Sequence, residues 1–164
     1  MRSLVKMGLK LGAVSLLTLA SAATTYAQDA APTPEEHAQQ AVDLRQSVFR
    51  LIGWSFGPVG GMLKNKVPFD AAVAQKSAAR IEMLAPMIGE AFQTDTSKFQ
   101  LKTKAREGIW TNKSDFAAKN DDLVKAAAAL TAAAKGGDKK ATMQAAAAVG
   151  KACGACHDNF RDKT

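Results

Sequence analysis

Apolar residues recur at helical spacing along the chain after residue 33, and no stretch alternates as a half-buried strand does. Thr33 is a predicted N-cap, with Pro34 in the first turn and Glu36 at the position that completes a capping box. Pro58 removes one helical hydrogen bond, so we expect a kink or an end near residue 57. The apolar stripe of this first helix consists of Val42, Phe49, Ile52, Phe56, Val59 and Leu63.

The same periodicity predicts a second and a third helix. Pro86 is expected to bend the last turn of the second helix, and residues 92–102 form a polar, irregular loop. Gly136 and Gly137 end the third helix in a turn tight enough to require an antiparallel return. The inward stripe of the second helix is Ala74, Ser77, Ile81, Leu84 and Ile88. The stripe of the third is Ile109, Phe116, Leu123 and Leu130.

Asp138 is the predicted N-cap of a fourth helix. Short links between four amphipathic helices predict an all-α fold, an antiparallel up-down-up-down four-helix bundle with any cofactor held between facing helices. The core-facing side of the fourth helix carries Met143, Ala146, Val149, Gly150, Cys153, His157 and Phe160.

Residues 153–157 of the fourth helix read C-G-A-C-H, the C-x-x-C-H motif that attaches a c-type haem. Cys153 and His157 stand four residues apart and share a helix face, with Cys156 beside them. Two thiols can therefore add to the vinyl groups of one haem while the imidazole reaches the iron. A thioredoxin-like dithiol and a small structural disulfide are the alternatives, and both leave His157 without a role.

The first 27 residues have the pattern of a secretory signal peptide, so the mature domain is predicted to span residues 28–164. A basic start precedes an apolar run over residues 11–20, and cleavage is predicted after Ala27. The run is too short to span a bilayer and no later stretch is long and apolar enough, so we expect no membrane anchor. The only two cysteines lie in the haem motif, which leaves none for a structural disulfide. A bacterial periplasm fits these features.

Removing the predicted signal peptide lowers the formal net charge from +7 to +4, because Arg2, Lys6 and Lys10 leave without any acidic residue. The remaining Lys and Arg residues are interleaved with Asp and Glu and have few aromatic neighbours, which argues against nucleic-acid binding. The mature length suits one domain with a single core, and therefore one haem. The mild positive charge is compatible with an acidic redox partner.

With four predicted helices and C-x-x-C-H at the C-terminal end, the chain resembles the cytochromes c′, the class II c-type cytochromes. The resemblance spans essentially all of the mature chain and rests on residues 44–47 (LRQS), 68–72 (PFDAA), 109–110 (IW) and 153–161. It implies a four-helix bundle with one covalently bound haem c and His157 as the proximal iron ligand. It also implies a homodimer packed through the first two helices.

In this family a residue of the first helix, four positions after an arginine, covers the iron on the face opposite the histidine. Here that position is Phe49, where many relatives carry a smaller aliphatic residue and a six-coordinate branch places a methionine ligand in the same region. A phenyl ring cannot bind iron, so the resemblance implies a five-coordinate ferrous haem with Phe49 as a steric lid. On spacing alone Phe49 is an ordinary core residue, and the two roles merge once the haem occupies the core.

Two arginines match family positions. Arg45 matches the arginine that pairs with a haem propionate, and its guanidinium fork suits a carboxylate; the alternative is an ordinary surface charge. Arg161 matches the proximal arginine, expected to stiffen the surroundings of the imidazole and to donate to a ligand that displaces it. The alternative for Arg161 is that it only offsets the dipole of the fourth helix. Trp110 is expected to pack near the haem edge.

Other candidates for a sixth iron ligand have simpler structural roles. His37, the only other histidine, lies in the first turn of the first helix, three turns before Phe49, and is expected to be exposed. The methionines considered, expected to lie beyond the helix break or to fill gaps in the core, are Met62, Met83, Met87 and Met143.

These features predict a periplasmic haem protein that binds NO and CO and is capable of one-electron transfer. An apolar distal side favours these gases over dioxygen, which accumulates negative charge and needs a hydrogen-bond donor. The alternative is a dedicated electron-transfer cytochrome with an internal sixth ligand, working with periplasmic redox partners. A peroxidase needs a distal His or Arg acid–base pair that the expected distal segment does not provide, so we predict no enzymatic activity.

Overall fold

The computed structural model describes residues 31–163. The helices among them are α1 (Pro34–Leu63), α2 (Ala71–Leu84), α3 (Met87–Ala91), α4 (Gly108–Thr111), α5 (Lys113–Lys135) and α6 (Lys139–Phe160). The four long helices form a bundle in which α1 packs on α2 and α6, and α5 packs on the same two helices. This confirms the predicted all-α four-helix bundle. The predicted signal peptide, residues 1–27, lies outside the described residues.

Helix α1 begins as predicted but extends further. Thr33 Oγ1 accepts a hydrogen bond from Glu36 N at 3.2 Å, and the Glu36 carboxylate accepts one from Thr33 N at 2.7 Å, which completes the capping box. A helix end near residue 57 is wrong, because α1 continues through Pro58 to Leu63. Val59 and Met62 lie beyond the proline and are buried. Their packing offsets the roughly 3 kcal/mol that a proline costs inside a helix.

Two other predicted helices are interrupted. Helix α2 ends at Leu84, and Pro86 precedes a separate short helix instead of bending the last turn of α2, because proline has no N–H to continue the ladder. The predicted third helix is divided at Asn112, whose φ of −128° and ψ of 59° are not helical. The inward stripes predicted for these helices are nevertheless buried at every position: Ala74, Ser77, Ile81, Leu84, Ile88, Ile109, Phe116, Leu123 and Leu130.

The turn between α5 and α6 brings the haem motif back along the bundle. Gly137 adopts a φ of +72°, a conformation that favours glycine, and Asp138 Oδ1 then accepts a hydrogen bond from Ala141 N at 2.6 Å. Val149 and Phe160 of α6 are buried in the core on either side of the motif. Within residues 31–163, none of the helices combines the length and the apolar character needed to cross a membrane.

Candidate functional site

A cavity of about 710 Å³ lies between α1, the segment that follows α3, and the C-terminal end of α6. Phe49 and His157 face each other across it, with ring centroids 6.4 Å apart and an interplanar angle of 67°. The rest of its apolar wall comes from Phe92, Ala105, Ile109, Phe116 and Phe160. The apolar part of the wall is therefore made largely of aromatic side chains, with the imidazole of His157 beside them.

The mouth of the cavity is basic. Its exposed cationic side chains are Arg50, Lys102, Lys104 and Arg161. The one acidic side chain among the described residues that line it, Asp162, is paired with Arg106 at 2.9 Å. The cavity therefore suits a flat apolar group with carboxylates at one edge, because its interior is apolar and its rim is positively charged.

The motif of α6 lies on the wall of this cavity. Cys153 and Cys156 are both free thiols and half-buried against the core, and Cys156 lines the cavity directly. Burial raises the pKa of both thiols. Burial, assisted by the positive charge of Arg161, lowers the pKa of His157. The imidazole is therefore neutral at pH 7, the form in which a ring nitrogen donates to a metal.

Phe49 is placed on the cavity wall by the face of α1 that it shares with Arg45. The ring remains 37% exposed, because one side faces the open cavity rather than packed side chains. On its other side it meets Phe92 edge to face, with ring centroids 6.1 Å apart. Phe49 is thus a wall residue opposite the histidine, and not part of the packed core.

Arg45 is 3% exposed, so the alternative of an ordinary surface charge is wrong. Its Nε donates to the carbonyl oxygen of Ala91 at 2.8 Å, its Nη1 donates to Thr96 Oγ1 at 2.7 Å, and its Nη2 donates to the carbonyl oxygen of Thr94. Burial lowers the pKa of this guanidinium, and the charge of Asp95 partly opposes the shift. The arginine attaches residues 91–96 to α1 at the edge of the cavity.

Residues 102–106 close the cavity beside α6. Gln46 Nε2 donates to the carbonyl oxygen of Lys102 at 3.1 Å, Asp162 N to that of Lys104 at 2.9 Å, and Arg106 N to that of Phe160 at 3.1 Å. These bonds attach the loop to α1 and to the end of α6. The irregular loop predicted from the sequence, residues 92–102, ends where this segment begins, and Arg106 carries no signal that distinguishes it from other isolated basic residues.

The candidate sixth ligands, and Trp110 as well, do not line the cavity. His37 is exposed in the first turn of α1. Trp110, expected near the haem edge, lies behind the cavity wall, where its Nε1 donates to the carbonyl oxygen of Phe92 at 3.0 Å. No methionine and no second histidine of residues 31–163 lines the cavity. The methionines placed outside it are Met62, Met83, Met87 and Met143.

The residues around the cavity fit a c-type haem. Two free thiols and a neutral imidazole sit within one turn of α6, beside an apolar cavity with a basic mouth. A haem needs this combination: thiols for its vinyl groups, a nitrogen for its iron, an apolar slot for its ring and cations near its carboxylates. The fold and the cavity together define a c-type haem protein built on a four-helix bundle.

Comparison with known proteins identifies the family of c-type haem proteins to which the chain belongs. The sequence profile of the family described as Cytochrome C′ matches residues 40–161. The chain belongs to the cytochrome c′ family, whose members bind one covalently attached haem c with its iron.

Individual relatives agree over nearly their whole length. Cytochrome c′ from Rubrivivax gelatinosus is 37% identical over 123 residues, which cover 75% of this chain and 95% of the relative. The solved cytochrome c prime from Shewanella frigidimarina has 38% identity and a TM-score of 0.72, covering 77% of this chain and 97% of that one. A variant of cytochrome c prime from Alcaligenes xylosoxidans, solved as a nitric oxide complex, has 31% identity and a TM-score of 0.70 with the same coverage.

Proposed function

We propose that this chain is an exported, periplasmic haem protein with a five-coordinate iron that binds NO and CO. In this proposal Cys153 and Cys156 hold haem c through thioethers, His157 ligates the iron, and Phe49 covers the opposite face. The observation that carries it is the pairing of Phe49 with His157 across the cavity, at 6.4 Å between ring centroids. When bound, haem c supplies an iron that takes up small diatomic gases and exchanges one electron.

Two arginines are proposed to contact the cofactor. Arg45 uses three of its five N–H groups on protein acceptors, which leaves two for a haem carboxylate at the edge of the cavity. Arg161 lies exposed at the cavity rim, four residues after His157, with its backbone N bonded to the histidine's carbonyl at 3.2 Å. That position supports a role beside the imidazole, as a donor to a ligand that arrives on that side.

The environment of Phe49 favours gases that need no hydrogen-bond donor. The polar neighbours on the same face of α1 are engaged: Arg45 on residues 91–96, Gln46 on Lys102, and Arg50 on the oxygens of Gln46 and Ser47 at 3.3 Å each. Their hydrogen bonds hold these side chains to the protein rather than toward the ring. A related protein has been solved with nitric oxide bound, which supports the same ligand class here.

A Phe49→Ala variant tests this role. We expect CO to associate with the reduced holoprotein about 10- to 100-fold faster, because the side chain that must move aside has been removed. Stopped-flow absorbance measures the rate. Val67→Ala is the control, since Val67 lies in the loop after α1 and is 47% exposed without lining the cavity. Equal CO association rates in the wild type and the Phe49→Ala variant would mean that Phe49 does not lie on the path of the gas.

Electron transfer is a second candidate function, favoured by the basic mouth of the cavity. Arg50, Lys102 and Lys104 are exposed where a partner would approach the haem edge. Such a ring of cations attracts an acidic redox partner and loses that attraction as salt screens it. We do not assign an enzymatic reaction: a peroxidase needs a distal His or Arg acid–base pair, and among the described residues that line the cavity His157 is the only histidine, while Arg45 and Arg50 are bonded to protein oxygens.

We also propose that the protein is a homodimer through α1 and α2. Large apolar side chains are exposed on both helices, and the ring of Trp54, 62% exposed, carries the guanidinium of Arg80 at 4.4 Å from its centroid. Exposed apolar residues concentrated on two neighbouring helices mark an interaction surface. The other members of this surface are Leu44, Leu51, Val73 and Met83.

A Trp54→Glu variant tests the dimer. We expect the dissociation constant of the dimer to rise about 30-fold, because a tryptophan that the proposed dimer would bury is replaced by a charge. Sedimentation velocity over a concentration series measures it. Lys125→Glu is the control, since Lys125 is exposed on α5 away from the proposed surface. A wild-type protein that sediments as a monomer at every concentration would contradict the proposal.

A further inference from the structure

We propose that Phe92 is a positioning residue for the lid: it limits the movement of Phe49 and so sets how fast a gas reaches the iron. The inference rests on the proposed role of Phe49 over the haem. It adds a second ring, from a different part of the chain, to the barrier. The observation behind it is the edge-to-face contact of the two rings, 6.1 Å between centroids at an interplanar angle of 64°.

The two rings differ in how firmly they are held. Phe49 is 37% exposed on the cavity wall, and in the proposed function its ring is the one that a gas must displace to reach the iron. Phe92 is 9% exposed and sits at the junction of α3 with the following loop. A fixed ring beside a movable one restricts the rotamers of the movable ring on that side.

Phe92 is immobilised from several directions. The guanidinium of Arg45 lies 4.6 Å from the centroid of its ring, and the ring of Phe116 lies 5.0 Å away on the core side. Its backbone is held as well, since its carbonyl accepts the Trp110 indole N–H and its N–H bonds to the carbonyl of Ile88 at 3.2 Å. Arg45 also bonds to the carbonyl of Ala91, so the residue before Phe92 is attached to α1 too.

This arrangement opposes movement of the Phe49 ring away from His157. For Phe49 to swing away from His157 towards α3, its ring must lose the edge contact with Phe92 or push that ring aside. The network around Phe92 opposes the second movement. Replacing Phe92 by leucine removes the ring edge, and we expect CO association with the reduced holoprotein to become about two- to tenfold faster.

Phe56→Leu is the matched control. Phe56 is a partly buried phenylalanine of α1 that packs against the core, but within the described residues it does not line the cavity and makes no ring contact with Phe49 or Phe92. A leucine at this position loosens the core of the bundle without changing the lid or the residues that hold Phe92. We expect the CO association rate of this variant to match that of the wild type.

The experiment measures CO recombination after flash photolysis for the wild type, Phe92→Leu, Phe56→Leu, Phe49→Ala and the double variant Phe49→Ala/Phe92→Leu. We expect acceleration by Phe92→Leu, none by Phe56→Leu, and a double variant no faster than Phe49→Ala alone. A second readout needs no gas: the hyperfine-shifted NMR signals of the Phe49 ring in the oxidised protein should move in Phe92→Leu and stay in place in Phe56→Leu. Phe92→Met, close in volume, replaces the leucine variant if that one yields no holoprotein.

The outcomes separate this proposal from the one on which it rests. If Phe49→Ala accelerates CO binding and Phe92→Leu does not, Phe92 has no positioning role while Phe49 keeps its place over the iron. If Phe92→Leu and Phe56→Leu accelerate binding equally, general loosening of the core is the cause and the proposal is overturned. If neither Phe49→Ala nor Phe92→Leu changes the rate, both the lid and its restraint are wrong.

Discussion

Replacing Cys153 and Cys156 together by serine is expected to abolish covalent haem attachment. A thioether survives denaturation, whereas a haem held only by coordination and packing is released when the protein unfolds. The wild-type protein should therefore carry haem through a denaturing gel, and the double variant should show no haem stain at its own molecular mass. The two residues are the only cysteines in the chain, so no disulfide is lost with them.

Replacing Cys153 or Cys156 alone tests the role of each thiol separately. Cys156 lines the cavity and Cys153 is half-buried one helical turn earlier, so each is expected to supply one of two thioethers. Each single variant should keep a haem attached through the remaining thiol, with a shifted absorption maximum where one vinyl group stays unsaturated. A double variant that still carries haem through the denaturing gel would place the attachment elsewhere in the chain.

Arg45→Met is expected to lower the free energy of unfolding of the oxidised holoprotein by about 3–5 kcal/mol. The substitution leaves three oxygens near the cavity without their donor: the carbonyls of Ala91 and Thr94 and the hydroxyl of Thr96. Each hydrogen bond to a charged group contributes about 1.5–3 kcal/mol, and water recovers part of the loss. Urea denaturation followed by circular dichroism measures the change.

Arg50→Met provides the matched control, because Arg50 lies on the same helix but is exposed and bonds only to Gln46 and Ser47 of its own helix. Its loss should change the free energy of unfolding by less than about 0.5 kcal/mol. Hydrogen exchange should also show residues 91–96 opening faster in Arg45→Met alone. Equal stability of the two variants would mean that Arg45 does not hold this segment in solution.

The sequence predicted the parts of the fold that depend on local rules. Helical periodicity identified the inward residues of α2, α3, α4 and α5, and the capping chemistry of Thr33 and Asp138 identified two helix starts. The haem motif is contiguous, so its position on α6 followed from spacing. These features need only a few neighbouring residues to be recognised.

The features that sequence reasoning missed depend on contacts far apart in the chain. Arg45 bonds to residues 46 to 51 positions away, and no local pattern distinguishes it from an exposed arginine such as Arg50. Arg106 bonds to Asp162 across 56 positions for the same reason. At Pro58 the local rule was overridden by the burial of Val59, and helix α1 continued.

The most direct test of the five-coordinate site is the visible absorption spectrum of the dithionite-reduced holoprotein, recorded before and after addition of CO. With Phe49 facing His157 and no methionine or second histidine of residues 31–163 at the cavity, we expect a broad high-spin spectrum that shifts sharply when CO is added. Narrow, split low-spin bands that do not respond to CO would contradict it. They would reveal an internal sixth ligand and make electron transfer the leading function.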